Sequence, residues 1–155
     1  MTDTEQFEFR DAVPSEAGLL GDIAFRSKAY WGYDPSFMEA CRTVLSFTPD
    51  EVAAGDFRLA VAGDLRAGFY QLGGEPSDGV IENFFVAPEW IGRGLGGLLW
   101  RDLIARARRA GMRRLVVDAD PHAAGFYERG GMTRCGVAVS TAIPGRFLPR
   151  LSRTL

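Results

Sequence analysis

Residues Val80 to Ala110 limit the fold more than any other part of the chain. The apolar run Val80-Ile81-Glu82-Asn83-Phe84-Phe85-Val86 is rich in aromatic and β-branched residues and lies between Gly79 and Pro88, which predicts a strand. It leads through Ala87-Pro88-Glu89-Trp90-Ile91 into Gly92-Arg93-Gly94-Leu95-Gly96-Gly97. Leu95, Leu98, Leu99, Leu103 and Ala107 then recur at helical spacing, so an amphipathic helix is expected from Leu98 to Ala110. A strand, a glycine loop and a helix N-terminus in that order suit an anion. N–H groups without intrahelical partners converge at the helix start, and glycine lets a phosphate approach them. A phosphate-bearing ligand at Gly92–Gly97 is therefore expected.

Two familiar phosphate loops fit poorly. Gly92, Gly94 and Gly97 match G-x-G-x-x-G, and Asp118 follows about twenty residues later, where a dinucleotide fold places its ribose-binding acid. Yet five residues separate Val86 from Gly92, and only 58 residues follow Gly97, too few for a doubly wound dinucleotide fold. Gly96-Gly97-Leu98 also lacks the Lys-Ser/Thr that a P-loop needs.

A second block follows. Leu115-Val116-Val117-Asp118 reads as a strand, and Asp120-Pro121-His122-Ala123 as a helix start with an N-cap and a proline in the first turn. Phe126-Tyr127-Glu128-Arg129-Gly130-Gly131-Met132 stops that helix on glycines. Together these stretches resemble motifs A and B of the GNAT superfamily, the acyl-CoA-dependent N-acetyltransferases. Motif A is matched by Val86-Ala87-Pro88 and Ile91-Gly92-Arg93-Gly94-Leu95-Gly96, with Ile91 where Gln or Arg is usual. Motif B is matched by Asp120, Ala123, Tyr127 and Gly131-Met132, with Asp for Asn and Met for Phe.

Elsewhere, Phe7-Glu8-Phe9-Arg10 alternates as a first strand. Helices are expected from Pro14 to about Lys28 and from Asp34-Pro35 through Leu45, with the aromatic run Tyr30-Trp31-Gly32-Tyr33 between them. Thr48-Pro49-Asp50-Glu51 reads as a short turn or helical start. Phe57 to Ala62 and Arg66 to Leu72 form a hairpin about Gly63-Asp64. Two closing strands run from Arg134 to Thr141 and from Phe147 to Thr154, the latter near a sheet edge because it contains Pro149. The resulting order is β-α-α-β-β-β-α-β-α-β-β: an α/β chain with a mixed, mostly antiparallel sheet of about seven strands and four helices. This is the GNAT order, in one domain spanning 1–155.

With 46% hydrophobic and 25% charged residues, the composition is that of an ordinary globular chain. A formal net charge of −2 disfavours a nucleic-acid partner. Cys41 and Cys135 make no metal spacing, and no metal is expected. The polar, acidic start and the absence of a long apolar run point to a cytoplasmic protein with no membrane contact.

The resemblance implies that acetyl-CoA is the co-substrate and that a primary amine attacks it directly in a ternary complex. A lysine-like ammonium, with a pKa of about 10.4, must first lose a proton. Tyr127 stands at the position of the family's general acid and would protonate the leaving thiolate. A backbone N–H at Phe85 or Val86 would hold the oxyanion, and Phe84, Phe85 and Val86 would run beside the pantetheine. Gly92, Arg93, Gly94, Leu95, Gly96, Gly97, Asp120, Ala123 and Phe126 are the remaining cofactor-binding positions. Glu82, sharing strand parity with Phe84 and Val80, is the candidate base acting through water, with the lone His122 or water alone as alternatives. Asp118 and Glu128 could line the site. Tyr30, Trp31 and Tyr33 lie where the family builds its acceptor wall. Arg106, Arg108, Arg109, Arg113 and Arg114 suit the negative helix end as a solvated face. A homodimer through the closing strands follows from analogy. The alternatives are a non-catalytic acyl-CoA sensor of the same fold and, less favoured, a dinucleotide-binding oxidoreductase.

Overall fold

A computed structural model describes residues 6–155. Strand β1 (Glu8–Asp11) precedes a 3-10 turn at Pro14–Glu16 and helices α1 (Ala17–Ala29), α2 (Pro35–Cys41) and α3 (Pro49–Ala54). Strands β2 (Phe57–Ala62), β3 (Leu65–Gly74) and β4 (Asp78–Val86) follow, then a 3-10 turn at Pro88–Trp90 and helix α4 (Leu95–Arg109). The chain closes with β5 (Arg114–Asp118), α5 (Ala124–Arg129), β6 (Thr133–Val139) and β7 (Phe147–Thr154). The seven strands form one sheet in the order β1-β2-β3-β4-β5-β7-β6. Its neighbours pair antiparallel except for β4 and β5, which are parallel.

The mixed, mostly antiparallel arrangement is the one expected, with two differences. There are five helices rather than four, because Thr48-Pro49-Asp50-Glu51 opens a helix of its own. Thr48 Oγ1 accepts from the Glu51 N–H at 3.1 Å and Glu51 Oε1 from the Thr48 N–H at 3.3 Å, a reciprocal cap with Pro49 in the first turn. Strand β7 is next to the edge, as Pro149 suggests, but is paired on both sides, between β5 and the edge strand β6. Pro149 is tolerated there because its carbonyl accepts from Ala119, just past the end of β5, so its missing N–H falls outside that ladder. The second difference is at motif B: α5 starts at Ala124, not at Pro121.

Apolar periodicity explains how the layers close. Leu95, Leu99, Leu103 and Ala107 are fully buried along one face of α4, which packs on β3 and β4. Burying each leucine contributes roughly 1.5–3 kcal/mol. Gly68 on β3 permits the approach: a Cβ there would lie 3.0 Å from Leu99 Cδ1 and 2.9 Å from the Phe85 carbonyl. Leu20, Ile23 and Ala24 of α1 are likewise buried, and α1 packs on β4. Strand β4 thus lies between α1 and α4.

Candidate active site

The parallel pair opens a cleft. Strands β4 and β5 share a ladder only at Asp78↔Arg114, Gly79↔Leu115 and Val80↔Val116. Beyond it, Ile81 to Val86 and Val117 to Asp120 diverge and line a cavity of about 520 Å³. A β-bulge marks the divergence: Gln71 pairs with Asn83 but Leu72 with Ile81, which leaves Glu82 as the extra residue. Bulges bend a strand and increase its twist.

The bulge corrects the expectation for Glu82. Phe84 lies opposite Tyr70, whereas Glu82 lies beside Gly73, whose added Cβ would be 2.9 Å from Glu82 Oε1. Tyr70 and Gly73 face opposite sides of β3, so Glu82 does not share a face with Phe84. Glu82 is exposed and still lines the cavity. Backbone direction can be read in the same way. The Ala87 N–H donates to the Ala67 carbonyl on β3 at 2.8 Å. Because N–H groups alternate along a strand, those of Val86 and Phe84 face away from β3 into the cleft, while that of Phe85 faces β3. Of the two residues named for the oxyanion, only Val86 presents its amide.

The glycine loop closes one end of the cavity. Gly92 and Gly94 have φ of 79° and 87°, a region that favours glycine. The first intrahelical bond of α4 runs from the Leu98 N–H to Gly94 O, which leaves the amides of Leu95, Gly96 and Gly97 without helical acceptors. Gly92, Gly94, Gly96 and Gly97 all line the cavity. Gly96 also lets α5 come close, since its Cβ would lie 3.0 Å from Phe126 Cε1. The side chains of two further residues of this loop lie outside the cavity lining. Leu95 is fully buried in the core, because it starts the apolar face of α4. Arg93 is exposed with its guanidinium 5.1 Å from the centre of the Trp90 ring, outside the lining.

Aromatic side chains form the α4–α5 wall. Phe84 and Phe126 have ring centres 5.1 Å apart, and Tyr127 lies 5.3 Å from Phe126. Phe85 turns to the other face against Phe69 at 5.9 Å. Phe84, Phe85, Val86, Ala123, Phe126 and Tyr127 all line the cavity. Tyr127 is 5% exposed. Burial, aided by the charge of Asp120, raises its phenol above the ordinary range, so it stays protonated at neutral pH.

The opposite wall comes from α1 and the segments around it. Ser27, Lys28 and Trp31 line the cavity, and Trp31 stacks on His122 at 5.1 Å with the planes 2° apart. Asp120 is the hub. Its carboxylate accepts from Lys28 Nζ at 2.7 Å, from the Tyr33 hydroxyl at 2.8 Å and from the His122 N–H at 2.8 Å. Arg146 Nη2 lies 3.5 Å away and donates to Tyr33 Oη at 2.9 Å. Burial opposes ionisation of Asp120, but its hydrogen bond to Lys28 and that residue's charge hold the carboxyl below its ordinary pKa. Tyr33, raised to about 12 by burial and by Asp120, is a support outside the cavity lining rather than part of the wall. Tyr30 is exposed and does not line the cavity. Asp118 lines it but is held by Arg150 at 2.7 and 3.1 Å, and Glu128 is exposed and paired with Arg134 at 3.4 Å.

A family model described as an acetyltransferase (GNAT) domain matches residues 46–142. The chain belongs to the GNAT acetyltransferase family. It is an acyltransferase, and the dinucleotide-oxidoreductase alternative falls away. No curated protein matches the sequence. A GCN5-related N-acetyltransferase from Rhodopseudomonas palustris is 23% identical, with 96% of this chain and 95% of that one covered at a TM-score of 0.79. The PaiA N-acetyltransferase of Thermoplasma acidophilum, in complex with coenzyme A, is 14% identical with a TM-score of 0.79 over 96% and 99%. A GNAT family acetyltransferase from Elizabethkingia anophelis with acetyl-CoA bound is 16% identical with a TM-score of 0.68 over 97% and 99%. These likenesses carry the fold.

Around the GNAT cleft, several residues take up positions for which the sequence alone assigns no role. Ser27, Lys28 and Arg146 gain their place only through tertiary packing; Lys28 and Asp120 are 92 residues apart. Arg106 corrects the expectation of a solvated arginine face. It is half-buried, donating to Asp56 and to the Tyr70 hydroxyl, which in turn donates to Asp102 at 2.6 Å. Arg108, Arg109, Arg113 and Arg114 are exposed. Among the described residues, no group of three His, Cys, Asp or Glu side chains could hold a metal ion, and no helix is long and apolar enough to cross a membrane.

Proposed function

We propose that this GNAT enzyme moves the acetyl group of acetyl-CoA to a primary amine by direct attack in a ternary complex. One observation carries the reading: a single cavity is lined by the splayed edge of β4, the glycine loop and Tyr127. Its volume, about 520 Å³, suits an extended small-molecule ligand. The relatives that hold coenzyme A and acetyl-CoA support the choice of co-substrate. The free amides of Leu95, Gly96 and Gly97 take the pyrophosphate at the positive end of α4. Phe84, Val86, Ala123 and Phe126 flank the pantetheine, with Phe85 behind them.

In this mechanism the amine nitrogen attacks the thioester carbon, and the Val86 N–H stabilises the oxyanion. The ammonium proton passes through water to Glu82. As the carbon–sulfur bond breaks, Tyr127 gives its proton to the thiolate. Trp31 and His122 form the acceptor wall, and water relays rather than His122 serve as the path to the base, because His122 is stacked flat on Trp31 at the exposed side. The enzyme acts in the cytoplasm as a homodimer, the apolar Val137 and Val139 of the free β6 edge forming its interface.

Thermal shift and calorimetry with acetyl-CoA and with NAD test the co-substrate. Acetyl-CoA at about 100 times its Kd stabilises the protein by roughly 2.7 kcal/mol, and NAD does not. A screen of amines, polyamines, amino acids and peptide N-termini with free-thiol detection then reports turnover. NAD binding with acetyl-CoA silent would overturn the reading.

A further inference from the structure

Two cations on the acceptor side share one carboxylate. Lys28 and Arg146 both lie within 3.5 Å of Asp120 Oδ2, with side chains only 13% and 18% exposed. Both also lie over the Tyr33 ring at 5.3 Å and over the Phe37 ring, at 5.8 Å for Lys28 and 4.8 Å for Arg146. Aromatic faces accommodate a cation but do not neutralise it. The other acid on this side, Asp118, is already bound by Arg150 through two hydrogen bonds. The cluster therefore keeps one positive charge in excess, in a partly desolvated place. Lys28 uses one of its three N–H donors on Asp120 and lines the cavity.

The same cavity holds a carboxylate of the opposite disposition. Glu82 lines it and makes no ion pair among the described residues. One cavity thus presents a carboxylate on β4 and a cationic excess at the end of α1.

We propose that the acceptor is an amine that also carries a carboxylate, a zwitterion of the amino-acid class. Its ammonium approaches Glu82 and its carboxylate binds Lys28, with Arg146 behind. This rests on the acetyl-transfer reading and deepens it. A charge-assisted hydrogen bond in a half-buried site changes affinity by about tenfold or more. A polyamine, or any amine without an acidic group, would leave the excess charge of Lys28 and Arg146 unmatched.

The test uses matched pairs: each amino acid and its amide, assayed with the full chain and acetyl-CoA by free-thiol release. The amide's amine gives up its proton more readily, so chemistry alone favours the amide, and any carboxylate preference comes from the protein. The expected result is a kcat/KM at least about tenfold higher for the acid in the best pair, carried by the acceptor KM. Lys28→Met reduces that ratio to about threefold or less, Lys28→Arg retains most of it, and Arg108→Met, removing an exposed cation at the far end of α4, leaves it as in wild type. Calorimetry of the same pairs on CoA-loaded protein gives the preference a readout apart from turnover. Amides equal to or better than acids in both assays, or a ratio unmoved by Lys28→Met, would overturn the proposal. A Lys28→Met effect confined to the KM of acetyl-CoA would also overturn it, assigning the cations to the co-substrate's phosphates. Failure to bind acetyl-CoA at all would instead sink the acetyl-transfer reading.

Discussion

Tyr127→Phe separates a chemical role from a packing role more cleanly than any other change in this cleft. The ring packs against Phe84, Trp100 and Phe126 at centroid distances of 6.2, 5.9 and 5.3 Å, and phenylalanine keeps all three contacts. The Tyr127 hydroxyl makes no hydrogen bond among the described residues, so the substitution breaks no internal bond there, and burial with the charge of Asp120 raises the phenol. Stability should stay within about 0.5 kcal/mol, as for a change that creates neither cavity nor orphaned group. If the hydroxyl protonates the leaving thiolate, general acid catalysis worth about 10²–10⁴-fold is lost, or roughly 3–5 kcal/mol of barrier. The KM for acetyl-CoA should change little, because the interaction is made mainly in the transition state. The assay is steady-state kinetics beside a melting curve, with single-turnover measurements so that slow product release cannot mask the chemical step. A Tyr127→Phe enzyme equal to wild type in single turnover would remove Tyr127 from the mechanism and leave water as the acid.

Gly94→Glu should abolish acetyl-CoA binding, since it puts a carboxylate into the phosphate loop at a φ of 87°. Gly74 would be a poor control because its Cβ would collide with the Asp78 carbonyl; Gly63→Glu, at a φ of 60° with open space around it, should keep its affinity in the same calorimetric titration. Asp120→Ala leaves Lys28 and Arg146 without their shared carboxylate and should cost roughly 3 kcal/mol, the low end for breaking a buried pair. A melting curve should show it as a loss of about 6–12 °C for a chain of this size. Glu16 accepts from both Arg10 Nη atoms at 2.9 Å, which, against opposing burial and with help from the Val13 N–H, brings its carboxyl down to about 2. A depressed pKa gives stability that is present above the unfolded value of about 4.3 and lost as pH falls towards 2, so Glu16→Gln should flatten the acid limb of a denaturation series in that window.

What could be read along the chain was local. The strand–loop–helix order from Val80 onward was legible because Gly92 and Gly94 are required by backbone conformation and the α4 leucines by a face. The Thr48-x-x-Glu51 cap was also present in the sequence, but six residues of helix carry too little periodicity to separate from a turn. The rest depended on partners far along the chain. The bulge at Glu82 is a mismatch between β3 and β4, and alternation along β4 alone gave the wrong face. Pro149 places β7 near an edge, and the strand can still pair on both sides because β5 stops one residue short of needing its N–H. The helix dipole acts on the whole last turn of α4 and alone predicts a solvated Arg106. Its actual surroundings, Asp56 and Tyr70, come from β2–β3 packing that no helical pattern reports.

The parallel pairing of β4 and β5 is what makes a site of this sheet. Antiparallel neighbours joined by tight turns stay paired along their length, whereas a parallel neighbour must arrive by a crossover, here α4. Packing between β4 and β5 fixes that crossover at the Asp78–Val80 end, and the bulge then bends β4 away from its partner. Unpaired N–H groups such as those of Phe84 and Val86 would each cost about 1–3 kcal/mol if buried dry. They are tolerated because the cleft is open and water can serve them. A ligand with its own amide carbonyls can replace that water acceptor for acceptor, so the gap in the ladder is also a template for binding. The crossover that opens the gap also places the positive end of α4 at its mouth, on glycines that a phosphate can approach. The backbone can therefore bind one substrate with few side chains, leaving Lys28, Trp31 and Glu82 on the other wall free to choose the second.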